Sequence, residues 1–142
     1  MTLPQVLELL AADLRNEWKH LRFYLYHASA ITGLHAEEYK EVFLKEAASE
    51  MEHVTEFSDL IWGLGGTTTA DSADFPLFTT VRDALTYALR MEEEVVKNYV
   101  ERIGQAEKLP EPEATWLVVF LEDQINHSRR DVDRFRRLLA DA

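Results

Sequence analysis

Glycine and proline fall almost entirely at the borders of four long segments of this chain. The sequence has 142 residues, of which only five are glycine and four are proline. Four stretches carry apolar residues at helical spacing and show no strand-like alternation: 3–31, 36–62, 78–103 and 114–139. Pro4 is compatible with the first turn of a helix. The pattern therefore predicts four long α-helices and an all-α fold.

The lengths of the three connections constrain the topology. The first and last are short, so helices 1 and 2 form one antiparallel hairpin and helices 3 and 4 another. Residues 63–77 have the composition of a loop and can reach about 50 Å, more than the length of about 39 Å of a 26-residue helix. A long crossover between two hairpins is typical of the ferritin-like antiparallel four-helix bundle. We expect one such domain over residues 1–142, with Phe75, Leu77 and Phe78 holding the crossover against the helices.

Each helix interrupts its apolar stripe with polar residues near its middle. The alternating four-three spacing of the stripe selects these polar positions: Glu17 in helix 1, Glu46, Glu50 and His53 in helix 2, Glu92 in helix 3, and Gln124, His127 and Asp131 in helix 4. A buried carboxylate costs several kcal/mol unless it is paired or bound to a metal. Glutamates from two helices with Glu-x-x-His motifs from two others build di-iron and di-manganese sites. The stripe therefore predicts a metal site in the core.

The two hairpins share one internal layout. Each carries a glutamate, a tyrosine seven residues later, and a motif of the form Glu/Gln-x-x-His that begins 33 residues after the glutamate in the first hairpin and 32 in the second. The residues are Glu17, Tyr24, Glu50 and His53 in the first hairpin, and Glu92, Tyr99, Gln124 and His127 in the second. The repeat predicts a pseudo-two-fold site with one metal leaning toward each half, and both tyrosines are expected in the core.

Other polar residues are interpreted as structural. His20, His27 and His35 are expected at the surface or at a hairpin end. Glu46 is expected on a solvated face, although it lies one turn from Glu50 and an ion path is the alternative. Asp131 either accepts a hydrogen bond from the histidine of helix 4 or lies exposed.

Composition excludes several classes of function. The 26 acidic residues outnumber the 15 basic ones, and the formal net charge of -11 argues against nucleic acid or an anionic membrane as a partner. The absence of cysteine excludes disulfides, thiolate zinc sites and a rubredoxin-type iron centre in this chain. No basic region precedes an apolar stretch at the N-terminus, and the apolar run "WLVVFL" is too short to span a bilayer. We expect a cytoplasmic protein.

The motifs resemble those of the bacterioferritins. "NEWKHLRFYLYHA" followed by "SEMEHVTEFSDLIWGLGG" is similar to the first half of that family, and "EEVVKNYVERI" and "LEDQINH" stand where its helices 3 and 4 carry ligands. The resemblance implies a ferritin-like protein that oxidises Fe(II) with O2 or H2O2 for iron storage or detoxification. The positions that match family metal ligands are Glu17, Glu50, His53, Glu92 and His127. Glu92 is preferred over Glu93 and Glu94 because of the stripe and the spacing to Tyr99.

Gln124 departs from the family pattern, which has a metal-bridging glutamate there. A neutral amide is a poorer ligand for Fe(III), so the second metal is expected to bind weakly or not at all. Asp123 is the nearest replacement, and its alternative role is to orient a ligand histidine.

Met51 is a second point of resemblance. In bacterioferritins a methionine directly after this glutamate ligates a haem between two subunits, so the resemblance implies haem as a cofactor, with packing in an ordinary helix interface as the alternative. Only 15 residues follow His127, too few for the family's further short helix. A homodimer or larger homo-oligomer is therefore expected rather than a closed storage shell.

Three functions remain open at this point. The first is a ferroxidase. The second is a metal- or haem-binding protein without turnover, because Gln124 replaces the bridging glutamate. The third is a di-metal oxidoreductase of the rubrerythrin type, which the absence of cysteine weakens.

Overall fold

The computed structural model describes residues 1–140 as four α-helices with connecting segments. The helices are α1 (Leu3–Ala30), α2 (Ala36–Gly63), α3 (Val81–Ala106) and α4 (Glu113–Ala140). No strand occurs within the described residues, so the all-α prediction is confirmed. Over the same residues, none of the helices is long and apolar enough to cross a membrane.

Polar side chains fix where two of the helices begin. The Thr2 N–H donates to Oε1 of Gln5 at 2.8 Å, and the Gln5 N–H donates to Oγ1 of Thr2 at 3.4 Å. This reciprocal pair is a capping box at the start of α1. At α3 the Asp83 N–H donates to Oγ1 of Thr80 at 3.2 Å. Because these N–H groups have no partner inside a helix, the caps explain why α1 and α3 begin where they do.

The chain divides into two compact units. One is Leu10–Ala84, which contains most of α1, all of α2 and the segment 64–80, called the crossover below. The other contains Met1–Leu9 and the described residues from Leu85 onward, with most of α3 and all of α4.

Helices α1 and α2 run antiparallel in the unit Leu10–Ala84. The rings of Tyr24 and Phe43 stack with centroids 6.1 Å apart, and His20 lies beside Glu50. Residues further along α1 therefore contact residues nearer the start of α2. This confirms the first predicted hairpin, and it places the middle of α1 beside the middle of α2.

The crossover follows α1 in the same direction as that helix. Near the middle of α1 the indole Nε1–H of Trp18 donates to the Thr69 carbonyl at 3.0 Å. Past its end the Thr32 N–H donates to the Thr79 carbonyl at 2.8 Å. The crossover thus returns the chain to the end of the unit where α2 begins, and α3 starts there.

Aromatic residues attach the crossover to one side of α1. Phe75 and Phe78 contact Phe23 edge to face, with ring centroids 5.7 and 6.5 Å away. The predicted roles of Phe75 and Phe78 are confirmed. Leu77 is 62% exposed, so its predicted role was wrong; its neighbours in the segment take the positions that face α1.

The buried face of α4 differs from the predicted one. The buried residues are Ala114, Leu117, Leu121, Gln124, Ser128, Val132 and Phe135. At about 100° per residue they lie within an arc of about 80° that has Gln124 at one edge. His127 lies about 60° beyond that edge and is exposed, and Phe120 and Asp131 are only half-buried. The predicted stripe therefore followed the correct period of α4 but the wrong side of Gln124.

Candidate metal centre

Three predicted ligands converge in the unit Leu10–Ala84. Glu17 on α1 and Glu50 and His53 on α2 are buried, and one ligand atom of each lies within 4.8 Å of the other two. Nδ1 of His53 is 3.3 Å from Oε2 of Glu50 and 3.6 Å from Oε2 of Glu17. The structure therefore brings two carboxylates and an imidazole together from two helices.

The register of α2 explains why both of its ligands are buried. Its buried residues are Phe43, Glu46, Ala47, Glu50, His53, Val54, Phe57 and Ile61. On a helical wheel they spread about 60° to either side of Glu50. His53, three residues on, falls at one edge of this arc and still points inward. On α4 the same i, i+3 spacing leaves His127 exposed, because the buried arc of that helix lies to one side of Gln124.

His20 joins this cluster, although it was expected at the surface. Its exposed fraction is 2%, and its Nδ1 lies 3.7 Å from Oε1 of Glu50. A signal was present in the sequence: Glu17-x-x-His20 repeats the Glu50-x-x-His53 motif at the same spacing. The surface interpretation of His20 was wrong, because a residue three positions after the buried Glu17 lies on the same buried face of α1.

Burial and close contact shift the pKa values of the cluster. Burial, helped by the charge of Glu50, raises the pKa of Glu17 to about 7. Burial also acts to raise the pKa of Glu50, but hydrogen bonds with Glu17, His20 and His53 prevail and lower it to about 2. Burial disfavours the charged form of His53, yet its hydrogen bonds to both carboxylates raise its pKa to about 11. Near neutral pH the metal-free cluster thus holds an ionised Glu50, a protonated His53 and a Glu17 that is part protonated.

This donor set fits a transition-metal ion. Carboxylate oxygens and imidazole nitrogens are ligands that iron and its first-row neighbours accept. The protons on His53 and Glu17 neutralise the buried carboxylate charge in the metal-free chain, and a cation would replace them. The arrangement can therefore exchange protons for a metal ion within the core of this unit.

The candidate ligands of the second unit are placed less uniformly. Glu92 and Gln124 are buried, at 0% and 1% exposure. Glu93 and Glu94 are exposed, and Glu93 forms an ion pair of 2.9 Å with Arg136, which supports the choice of Glu92.

The remaining predicted residues of α4 and of the tyrosine pair are also located. His127 and Asp123 have exposed side chains in the described chain. Asp131 is half-buried. Tyr24 and Tyr99 are buried at 0% and 1%, as predicted for core residues.

Several further polar residues occupy positions that bear on the site. Glu46 is 3% exposed, so the expected solvated face was wrong, and Asp13, which no prediction named, is equally buried one turn before Glu17. His27 is fully buried under the crossover, contrary to the surface prediction, whereas His35 is exposed as predicted. Met51 is 58% exposed and so stands outside the core of its unit.

Comparison with known proteins places the chain in a family. The model of the ferritin-like domain family, described as "Ferritin", matches residues 7–142. A ferritin-like, diiron-carboxylate protein from Bacillus anthracis str. Ames is 31% identical, with 95% of each chain covered and a TM-score of 0.87. BfrA from M. tuberculosis is 23% identical, with 96% of this chain and 84% of that one covered and a TM-score of 0.87. No curated protein matches the chain.

These matches define a ferritin-like four-helix bundle with a long crossover between α2 and α3. The chain belongs to the ferritin-like domain family. The predicted fold class and the predicted membership of the ferritin-like superfamily are thereby confirmed. Within that fold, Glu17 of α1 with Glu50 and His53 of α2 forms a candidate metal-binding group.

Proposed function

We propose that the protein binds Fe(II) at the cluster of Glu17, Glu50 and His53 and oxidises it with O2 or H2O2. The observation that carries this proposal is the convergence of two carboxylates and one imidazole, all buried, within 4.8 Å of one another. The similarity to a diiron-carboxylate protein at 31% identity supports iron as the metal. Fe(II) is the substrate, and the physiological result is iron detoxification or storage.

The chemistry asked of the chain is modest. Two Fe(II) ions give up one electron each and, with two protons, reduce one O2 to H2O2 or one H2O2 to two water molecules. Each Fe(III) product carries one more positive charge than Fe(II). Glu17 and Glu50 stabilise that charge because ionised carboxylates are hard oxygen ligands in a buried site. His53 gives its proton away on binding and then supplies a neutral nitrogen. Glu92, Gln124 and His127 are proposed as further ligands on the strength of the family resemblance.

The rate of Fe(II) oxidation tests the proposal. Metal-free protein is mixed with Fe(II) in air, and the growth of Fe(III) absorbance is compared with that in buffer alone. We expect oxidation clearly faster than in buffer for the wild type, and a rate close to buffer for Glu50→Gln. Glu52→Gln changes the same charge at an exposed position of α2 and is expected to keep the wild-type rate. Oxidation by wild type no faster than in buffer would refute the ferroxidase function.

Gln124 supports a second candidate function, a metal-binding protein without turnover. The amide stands, buried, at the position where bacterioferritins carry a bridging glutamate. In that case metal binds at Glu17, Glu50 and His53, but Fe(II) oxidation does not exceed the rate in buffer. A rubrerythrin-type oxidoreductase would instead reduce peroxide, with electrons from a partner, because the chain has no cysteine for an iron centre of its own.

Haem binding through Met51 is a further proposal, supported by the exposure of this side chain on α2. Haem would be held by a thioether from each of two copies of the chain and would supply a redox-active iron. Titration with haemin is expected to give a bound-haem absorption spectrum that Met51→Ala loses.

The setting of the protein follows from these proposals. We propose a single ferritin-like domain over residues 1–142 that acts in the cytoplasm as a homodimer or larger homo-oligomer, without nucleic acid or membrane as a partner. The family match over residues 7–142 and the acidic composition support this setting.

A further inference from the structure

The two helices of the unit Leu10–Ala84 carry the same motif and use it reciprocally. Glu17-x-x-His20 lies on α1 and Glu50-x-x-His53 on α2. Nδ1 of His53 faces Oε2 of Glu17 at 3.6 Å, and Nδ1 of His20 faces Oε1 of Glu50 at 3.7 Å. Each histidine thus lies beside the glutamate of the opposite helix, as antiparallel packing of two identical motifs requires.

Glu50 connects the two halves of this arrangement. Its Oε2 lies 3.3 Å from Nδ1 of His53, while its other oxygen lies 3.7 Å from Nδ1 of His20. The two imidazoles therefore stand beside different oxygens of one carboxylate. Both histidine side chains are more than nine-tenths buried, at 3% and 4% exposure, so their ring nitrogens face protein groups and not solvent.

We propose that His20 is a metal ligand beside the oxygen of Glu50 that does not face His53, so that α1 and α2 together offer four donors: two carboxylates and two imidazoles. The inference rests on the proposed metal binding and adds a residue outside the ligand positions that the bacterioferritin resemblance implies. Two ionised carboxylates and two neutral imidazoles balance the charge of one divalent cation, which removes the cost of an uncompensated buried charge. The set also needs no contribution from Gln124. This hairpin accordingly binds a divalent ion with its own side chains.

Paramagnetic NMR with Co(II) tests the role of His20 directly. A histidine that binds through Nδ1 keeps its Nε2–H, which then gives an exchangeable, strongly shifted proton signal. With one equivalent of Co(II), wild type is expected to show two such signals, from His20 and His53. His20→Gln, which keeps much of the side-chain volume but has no imidazole, is expected to show one and to bind Co(II) at least about tenfold more weakly.

A matched variant serves as the control. His35→Gln removes an imidazole that is exposed in the described chain, and it is expected to keep two shifted signals and the wild-type affinity. Far-UV circular dichroism of each metal-free variant verifies that it is folded, and His20→Asn is a second variant should His20→Gln not fold.

The outcomes separate this inference from the proposed function. Two shifted signals and unchanged affinity in His20→Gln would overturn the role of His20 and leave metal binding intact. One shifted signal in His20→Gln against two in wild type would support the role of His20 as a ligand, even if the protein does not oxidise Fe(II). No binding of Co(II) by wild type at the cluster would overturn both.

Discussion

At the scale of single residues, burial makes the charges of the cluster depend on what is bound. Glu50 has a pKa of about 2 because its neighbours donate hydrogen bonds or share a proton with it, whereas burial raises the pKa of Glu17 to about 7. His53 holds a proton up to a pKa of about 11 between the two carboxylates. In the metal-free chain these protons thus neutralise the buried carboxylate charge that a bound cation would neutralise.

Metal affinity is accordingly expected to rise with pH. Binding needs the deprotonated forms, so below pH 7 both His53 and Glu17 release a proton, and the logarithm of the binding constant should rise by about two per pH unit. Above pH 7 only His53 still releases one, and the slope should fall to about one. Calorimetric titration with Zn(II) from pH 6 to pH 8, in buffers with different ionisation enthalpies, counts the protons released.

Glu17→Gln is the matched variant for this measurement. It removes one of the two protons, so its slope below pH 7 should be about one. A binding constant that does not change with pH in the wild type would contradict the charge states assigned to the cluster.

Position 124 offers a second prediction for one residue. Gln124 is 1% exposed, so Gln124→Glu introduces a carboxylate into the core of its unit and is expected to lower the free energy of unfolding of the metal-free protein by about 1–3 kcal/mol. With Fe(II) we expect the variant to bind more iron per chain and to oxidise it faster than wild type. Denaturant unfolding and anaerobic Fe(II) titration measure the two effects.

Asn126→Asp is the control, because it adds the same charge at an exposed position of α4. It is expected to leave stability within about 0.5 kcal/mol and iron binding unchanged. Equal iron stoichiometry in wild type and Gln124→Glu would show that position 124 takes no part in metal binding.

At the scale of elements, His27 joins the crossover to α1. Its Nδ1–H donates to the Phe23 carbonyl at 2.8 Å, and its Nε2 accepts the Phe78 N–H at 3.0 Å. The ring also lies against Phe23, with centroids 4.1 Å apart. The bond from Phe78 needs the neutral imidazole, because Nε2 accepts a hydrogen bond only when it carries no proton. Burial lowers the pKa of His27 below its ordinary value of 6.5.

The attachment of the crossover is therefore expected to weaken in mild acid. Because the pKa of His27 is lowered in the folded state, the unfolded chain binds more protons than the folded chain as the pH falls below 6.5. The contribution of the neutral His27 to stability is therefore fully present above pH 6.5 and is lost as the pH falls below that value. His27→Gln should lower the free energy of unfolding by about 1–3 kcal/mol at pH 7.5, and the difference from wild type should shrink toward pH 5.

Urea unfolding across this pH range measures that difference. His35→Gln, at an exposed position, should show little difference from wild type at any pH. A difference for His27→Gln that stays constant from pH 7.5 to pH 5 would contradict the neutral, buried state of His27.

The comparison of α2 with α4 shows how far local periodicity predicts such a site. In α2 the buried arc is centred on Glu50, so the apolar spacing alone predicted both Glu50 and His53. In α4 the arc has Gln124 at its edge, and the period could not distinguish its two sides. His27 was missed for another reason: the crossover covers a face of α1 that the helix's own pattern does not mark as buried.

At the scale of the whole molecule, the fold buries the Glu-x-x-His motifs and the acidic composition favours cations near the surface. The ferritin-like bundle provides long helices whose middles hold polar residues away from solvent. The excess of 26 acidic over 15 basic residues gives a net charge of -11, which raises the local concentration of cations at low ionic strength. The proposed binding and oxidation of Fe(II) would benefit from both features.

A crystal structure of the protein loaded with Fe(II) without oxygen, with data collected on both sides of the iron absorption edge, tests the central claim most directly. We predict an anomalous iron peak within bonding distance of Glu17, Glu50 and His53. A fully loaded crystal with no iron peak among these three side chains, or with iron bound only elsewhere on the chain, would contradict the claim.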